Sequence, residues 1–380
     1  MEAPPMPQLT PDQLQKASVY LPMEQILMTA AYLTPDMLRS QIDNIDQDQG
    51  PRVLAAAVIV SVLATSAVVL RLACRRHMKV AVSYDDYMII IGLVIAVVQC
   101  VLQGYSVALG TGKHLMRIGV ADTQTYVKVT YAFQFLMSAS MIFIKLSILL
   151  FYRRLFPREN TSARWRTCHL ALCIASVGVG VIQCFGIAFQ CTPAAYFWDR
   201  TIPGGHCINM MAFFRFANIA NLLTDILILA MPIPIVWSLR LDRQKKVGVC
   251  GLFLLGGFVC VASIMRFYYL ESVGKGVDPT WDNVDVMIWS TVEPCVGVVC
   301  ACLPVMGPLL RTHIMSLTTS VFRSGSSKWS KGGASSGFSG QSGSAASGPE
   351  RGDRGIGKAS GRLGTRGKEE AVMMRRWGFR

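Results

Sequence analysis

Seven apolar stretches follow one another along this chain, each long enough to cross a bilayer, and they leave few folds open to it. A hydrocarbon core of roughly 30 Å takes about 20 mostly apolar residues at helical rise. Such runs occupy residues 53–70, 87–109, 131–152, 168–190, 210–239, 249–270 and 286–310. None alternates as a barrel strand would, and in hydrocarbon a helix satisfies its own backbone. Buried helices of a soluble protein would explain one or two such runs, not seven in series. With 52% hydrophobic and only 16% charged residues, the chain also lacks the charge of a soluble protein. The expectation is an all-α membrane protein, a seven-transmembrane helix bundle.

Orientation follows from the loops, because Lys and Arg near a span resist translocation. Alternate loops carry Arg71, Arg75, Arg76 and Lys79, then Arg153, Arg154, Arg158, Arg164 and Arg166, then Arg240, Arg243, Lys245 and Lys246. The loops between them carry only Lys113, Arg117 and Lys128, then Arg200, then Lys275. This asymmetry predicts an N-terminus outside and a C-terminus in the cytoplasm. Residues 1–52 fit an extracellular, mostly disordered arm, with seven acids against three bases and no pattern of a cleavable signal. The first span is expected to serve as its own insertion signal. The net charge of +14 does not point to nucleic acid, because the bases sit in inner loops and the tail, as expected beside an anionic leaflet. Residues 311–380 read as a cytoplasmic low-complexity basic tail rich in Gly and Ser, which cannot bury enough apolar surface to order itself.

Among the cysteines, Cys191 and Cys207 share the second outer loop, the one pair expected in an oxidising compartment, and a disulfide between them is expected. No cysteine pair has zinc-site spacing and the five His are dispersed, so neither a metal centre nor a cofactor is expected.

Ionisable residues inside spans cost roughly 2.5 to 3.5 kcal/mol each even on lenient scales, so each needs a partner or a task. Here they are Lys145, Arg215, Asp225, Arg266 and Glu293. Helical rise places Lys145 and Asp225 at one depth, which predicts an interhelical ion pair. Arg215, Arg266 and Glu293 are expected in an outer cluster of two bases and one acid, a candidate site for a polar or anionic small ligand. Asp85 and Asp86 begin the second span, where carboxylates favour the positive end of a helix. Pro232 and Pro234 are expected to bend the lower fifth span.

Several stretches go beyond generic seven-helix composition: YDDYMIIIGL (84–93), GTGKH (110–114), KLSILLFYRRLFP (145–157), CTP with Trp198, HCIN (206–209), NLLTDILILAMPIPIVWSL (221–239), SIMRFYYL (263–270) and DPTWDNVDVMIWSTVEPCVGVVCACLPVMGPLL (278–310). In this order they resemble the fungal rhodopsin-domain family of integral membrane proteins, the satratoxin-cluster membrane protein family, which includes receptor-like proteins of fungi. The resemblance covers residues 53–310. The odd helix count and the outside N-terminus favour a receptor-like protein that senses a small ligand in its outer half, with a cytoplasmic signalling partner at the basic inner loops. The alternative, which the resemblance to the satratoxin-cluster family implies, is a membrane accessory or carrier of a secondary-metabolite pathway. The plasma membrane is the expected location, an endomembrane the alternative. Residues 286–310 contain no Lys, so no retinal is expected. GTGK lacks the spacing of a phosphate loop. An enzyme using Asp225 or Glu293 as a proton donor is disfavoured by the cations placed nearby, and no enzymatic activity is expected.

Overall fold

The computed structural model describes residues 11–18, 41–114, 117, 120–156, 162–199, 201–234, 243–273 and 278–326, and within these the side chains at 14, 17, 120–122, 243–255, 279 and 307–326 lie outside the description. After a short helix, Pro11–Ser18, the described residues form seven long ones: α1 (Gly50–His77), α2 (Tyr84–Ala108), α3 (Val120–Leu155), α4 (Ala163–Ala188), α5 (Met210–Ala230), α6 (Arg243–Val273) and α7 (Pro279–Ser326). All but α6 are long and apolar enough to cross a membrane. The expected sixth span falls on α6, whose side chains are described only in part. The fold is that of an all-α membrane protein. Its strands among the described residues are β1 (Cys191–Thr192) and β2 (His206–Cys207), paired antiparallel between α4 and α5. The end of the molecule carrying this ribbon is called outer here, after the expected orientation.

The described residues up to 305, apart from 74–80, form one compact unit that holds the sites discussed below. A second unit contains the end of α1, where the Val80 amide donates to the Arg75 carbonyl at 3.0 Å, and the last turns of α7. Asn160, which begins an Asn-Thr-Ser glycosylation sequon expected in the cytoplasm, the loop bases Arg158, Arg200, Arg240 and Lys275, and the tail beyond 326 lie outside the described residues.

Helix starts follow local chemistry. Ser162 caps α4 by accepting from the Trp165 amide (3.3 Å), and Asn209 caps α5 by accepting from Ala212 (3.1 Å). Helix α5 runs to Ala230, is interrupted at Met231 and Pro232, and is helical again at Ile233 and Pro234, the last described residues of this stretch. The expected bend falls there: Pro232 has no N–H for the Ile228 carbonyl and Pro234 none for Ala230.

Consecutive helices from α2 to α6 pack on one another, and hydrogen bonds described below tie α7 to α1, α2, α5 and α6. Of the apolar window of α7, 61% is buried, against 17% for α4. Helix α7 therefore runs through the interior and α4 lies at the edge. A Cβ on Gly180 would stand 2.2 Å from Ile142 Cγ1, so a glycine lets α4 approach α3 closely.

At the outer end, two of the motifs form one junction. The His114 ring stacks on Trp281 at 4.3 Å, its Nδ1 lies 2.9 Å from Asp278 Oδ2, and the Thr280 hydroxyl donates to the Lys113 carbonyl at 2.9 Å. Gly112 is required there: its φ is +87°, and a Cβ would meet the Gly50 amide nitrogen at 2.6 Å. Within the segment expected as a disordered arm, Pro11–Ser18 is helical and Ile42 and Ile45 are fully buried, so the residues just before α1 pack instead of trailing.

Candidate functional site

Two groups of buried charges occupy the interior. The middle cluster draws on four helices. Lys145 comes from α3, and Asn221, Thr224 and Asp225 share one face of α5 at i, i+3 and i+4. Ser263 and Arg266 are one turn apart on α6, and Glu293 comes from α7. Lys145 Nζ reaches four oxygens: Asp225 Oδ1 (3.1 Å), Asn221 Oδ1 (2.8 Å), the Asn221 carbonyl (3.0 Å) and Thr224 Oγ1 (2.7 Å). Arg266 Nε lies 3.0 Å from Glu293 Oε2. Between the two ion pairs stand two neutral donors. Asn221 Nδ2 donates to Glu293 Oε1 at 2.6 Å and to Asp225 Oδ2 at 3.4 Å, and Ser263 Oγ does the same at 2.7 and 3.4 Å. With all four groups ionised the charges cancel, which offsets part of the large cost of taking them out of water.

The inner cluster is built around Arg71 of α1, whose side chain is completely buried. Its Nη2 bonds Asp85 Oδ2 at 2.5 Å, its Nε bonds Asp86 Oδ1 at 2.9 Å, and its Nη1 donates to the Ala301 carbonyl of α7 at 2.6 Å. Asp86 also accepts from the Ser83 amide (3.0 Å), Arg154 approaches Asp85 at 3.7 Å, and the Ser147 hydroxyl donates to the Asp85 carbonyl (2.7 Å). This cluster too contains two cations and two carboxylates. Sequence reasoning placed Arg71 among the loop bases and Asp85 with Asp86 at a helix start. Asp86 does cap α2, but Arg71 is an interior residue of a helix that continues to His77, past the expected end of the first span. The short connection from α1 to α2 was the signal: it folds Arg71 back onto the first turn of α2.

Between the clusters and the outer end, α2 and α7 are joined by amides and hydroxyls. Gln99 Nε2 donates to the Ser290 carbonyl at 3.0 Å. That carbonyl is free because Pro294, four residues on, has no N–H to donate to it. One turn outward on α2, Gln103 Oε1 accepts from the hydroxyl of Thr291, the residue after Ser290. Gln99 Oε1 and Gln103 Nε2, both fully buried, and Gln134 Oε1 on α3 make no further hydrogen bond among the described residues. Arg266, 8% exposed, turns its Nη1 toward Met137 Sδ at 3.0 Å, a weak acceptor for a guanidinium.

The expected outer trio is therefore regrouped. Glu293 and Arg266 pair, but they join Lys145 and Asp225 in one cluster. Arg215 stands apart, bonded through Nε and Nη2 to both oxygens of Glu271, with Nη2–Oε2 at 2.7 Å. Glu271, one residue beyond the expected sixth span, was the missing acid, and it removes the surplus cation on which an anion site depended. Cys191 and Cys207 face each other across the ribbon and are bonded, S–S 2.04 Å. The loop they close sets Phe197 and Trp198 against Tyr131 of α3, ring centroids 5.6 and 5.8 Å apart. Among the described residues no group of His, Cys, Asp and Glu could hold a metal ion.

Comparison with known proteins adds the following. The family model for the fungal rhodopsin domain matches residues 70–312. A polyenoic acids biosynthesis gene cluster protein of Metarhizium anisopliae is 28% identical over 293 residues, covering 72% of this chain and 77% of that one. A SAT4 family membrane protein of Emericella nidulans is 32% identical over 215 residues, 57% of this chain and 54% of its own. Receptor GIN3 of Arthrobotrys oligospora is 26% identical over 220 residues, 57% and 51%. The chain thus spans about half the length of the last two relatives. No solved structure matches.

Proposed function

This chain belongs to the fungal rhodopsin domain family, and from that membership we propose that it is a receptor-like integral membrane protein of the plasma membrane, with a small ligand bound in its outer half and a cytoplasmic partner at its basic inner loops. The observation that carries this reading is the course of α7. Glu293 belongs to the middle cluster and the Ala301 carbonyl to the inner one, about 12 Å further along the same helix at 1.5 Å per residue. A movement of α7 at the level of Glu293 is therefore felt at Arg71, on the cytoplasmic side of the proposed orientation. The under-used groups lie on the outer side: Gln99 Oε1, Gln103 Nε2, Gln134 Oε1 and the Nη edge of Arg266. Because Arg266 and Arg215 each already have a carboxylate, the fitting ligand is uncharged, with an oxygen acceptor for Arg266 and a donor for the glutamine carbonyls. The name of the relative GIN3, a receptor, supports the same reading.

A second reading, an accessory or carrier in a secondary-metabolite pathway, is favoured by the relative named for a polyenoic acids biosynthesis cluster. One experiment separates the two. In the fungus that carries this chain, a deletion strain and the same strain complemented with wild type are compared, and transcripts and metabolites are followed after exposure to culture extract. A receptor loses the transcriptional response while metabolite partition between mycelium and medium stays normal. A carrier shows the reverse, and that result would sink the receptor reading. The orientation has its own check: Asn160 is cytoplasmic in this scheme, so an endoglycosidase-sensitive mass shift abolished by Asn160→Gln would invert it.

A further inference from the structure

We propose that Asn221 and Ser263 are a two-position donor pair that passes between Glu293 and Asp225, giving the bundle two conformations in which every buried charge keeps its ionic partner. Both side chains lie within reach of both carboxylates, and both are drawn to the same one. Each stands at 2.6–2.7 Å from Glu293 Oε1 and at 3.4 Å from Asp225 Oδ2. A displacement of under an ångström exchanges the long contacts for the short ones.

The charges need not move for this to happen. Lys145 stays on Asp225 and Arg266 on Glu293, so no ion pair is broken and no buried charge is left alone, which is the step that would be costly. Only neutral donors change partner. As they arrive at Asp225, Lys145 retains Thr224 Oγ1 and the Asn221 carbonyl as acceptors. As they leave Glu293, Arg266 Nε remains 3.0 Å from Oε2, an ionic contact without a hydrogen bond. Asn221 is on α5 and Ser263 on α6, while the carboxylates are on α5 and α7. The exchange is therefore a shift of α6, with the Asn221 side chain, relative to α7. Packed interiors favour two discrete arrangements over continuous deformation. The proposal leans on the receptor-like reading for what the switch serves, and not for its existence.

The test uses the full-length, ligand-free protein in nanodiscs. Cys260, one turn before Ser263 on α6, is half-buried, so its access to reagent follows a displacement of that helix. Its alkylation rate is measured by site-resolved mass spectrometry. Glu293→Gln weakens the acceptor that now holds the donors, and Asp225→Asn weakens the other. Trading a charge-assisted for a neutral hydrogen bond changes a two-state ratio by roughly threefold or more. Each variant removes one negative charge near the thiol, an effect common to both, so their Cys260 rates are compared with each other and are expected to differ by that order. Equal rates in the two variants overturn the proposal. If either variant fails to fold, the wild type decides: with 15N-asparagine labelling, the Asn221 side-chain amide, assigned by its loss in Asn221→Ser, shows two-site exchange on the microsecond-to-millisecond scale. A single sharp resonance at every temperature overturns it. Neither measurement involves a ligand, so failure here leaves the receptor reading standing, and failure of the transcript test leaves this one.

Discussion

The middle and inner clusters hold the same inventory, two cations and two carboxylates, yet they are bonded in opposite ways. At the inner end one guanidinium meets two adjacent carboxylates and a backbone carbonyl through three separate nitrogens. Its planar fork fits that arrangement in one manner only. In the middle, the charges are spread over four helices and linked by an amide and a hydroxyl at unequal distances from two acceptors. The lesson is that neutralising buried charge and fixing a geometry are separate matters: the first needs equal numbers, the second needs donors with a single choice.

Arg71→Met should break the comparison most severely. It removes the buried cation shared by Asp85 and Asp86, which are 2% and 0% exposed, and removing one partner of a buried pair costs about 3 to 5 kcal/mol. The expected outcome is little or no folded protein by size-exclusion chromatography. Near-normal yield would mean that the inner cluster is not a fixed point.

Lys145→Met and Asp225→Asn should each cost about 3 kcal/mol, the lower end of that range, because the remaining donors and acceptors can regroup. The double variant should recover about 1 to 2 kcal/mol of coupling in a thermal double-mutant cycle in detergent. Additive effects would show that the 3.1 Å approach carries no energy.

Sequence reasoning could place Lys145 and Asp225 at one depth because helical rise is constant. It could not place Glu293 beside them, because that depends on how α6 and α7 are offset and rotated, which their own residues do not state. For Arg71 the cue was present in the short connection to Asp85, but a basic residue next to basic neighbours reads as a loop charge. Arg215 misled for a related reason: its partner Glu271 lies just past the apolar run, where a side chain can still reach back.

Ser263→Ala removes one shared donor and leaves every charge paired. It should cost only about 1 kcal/mol, the worth of an ordinary hydrogen bond, read as a small fall in Tm. A loss as large as that of Asp225→Asn would mean that Ser263 is structural and has no alternative partner. The smallest effect is expected at Arg215→Ala. Its side chain is 48% exposed in the pair with Glu271, and such pairs contribute about 0.2 to 1 kcal/mol. A drop matching the middle cluster would place this pair in the interior and restore the expected outer trio.

The seven apolar runs, the polar groups confined within them and the proline that frees the Ser290 carbonyl are properties of the sequence, because hydrophobic length and backbone chemistry act locally. Which carboxylate each cation meets is a property of the tertiary structure. Buried charges find partners across helices, and partnership at hydrogen-bond distance is decided by the rotation and offset of neighbouring helices. Packing of whole faces fixes those quantities, so the same charged residues can belong to one four-helix cluster in space while appearing in the sequence as unrelated pairs.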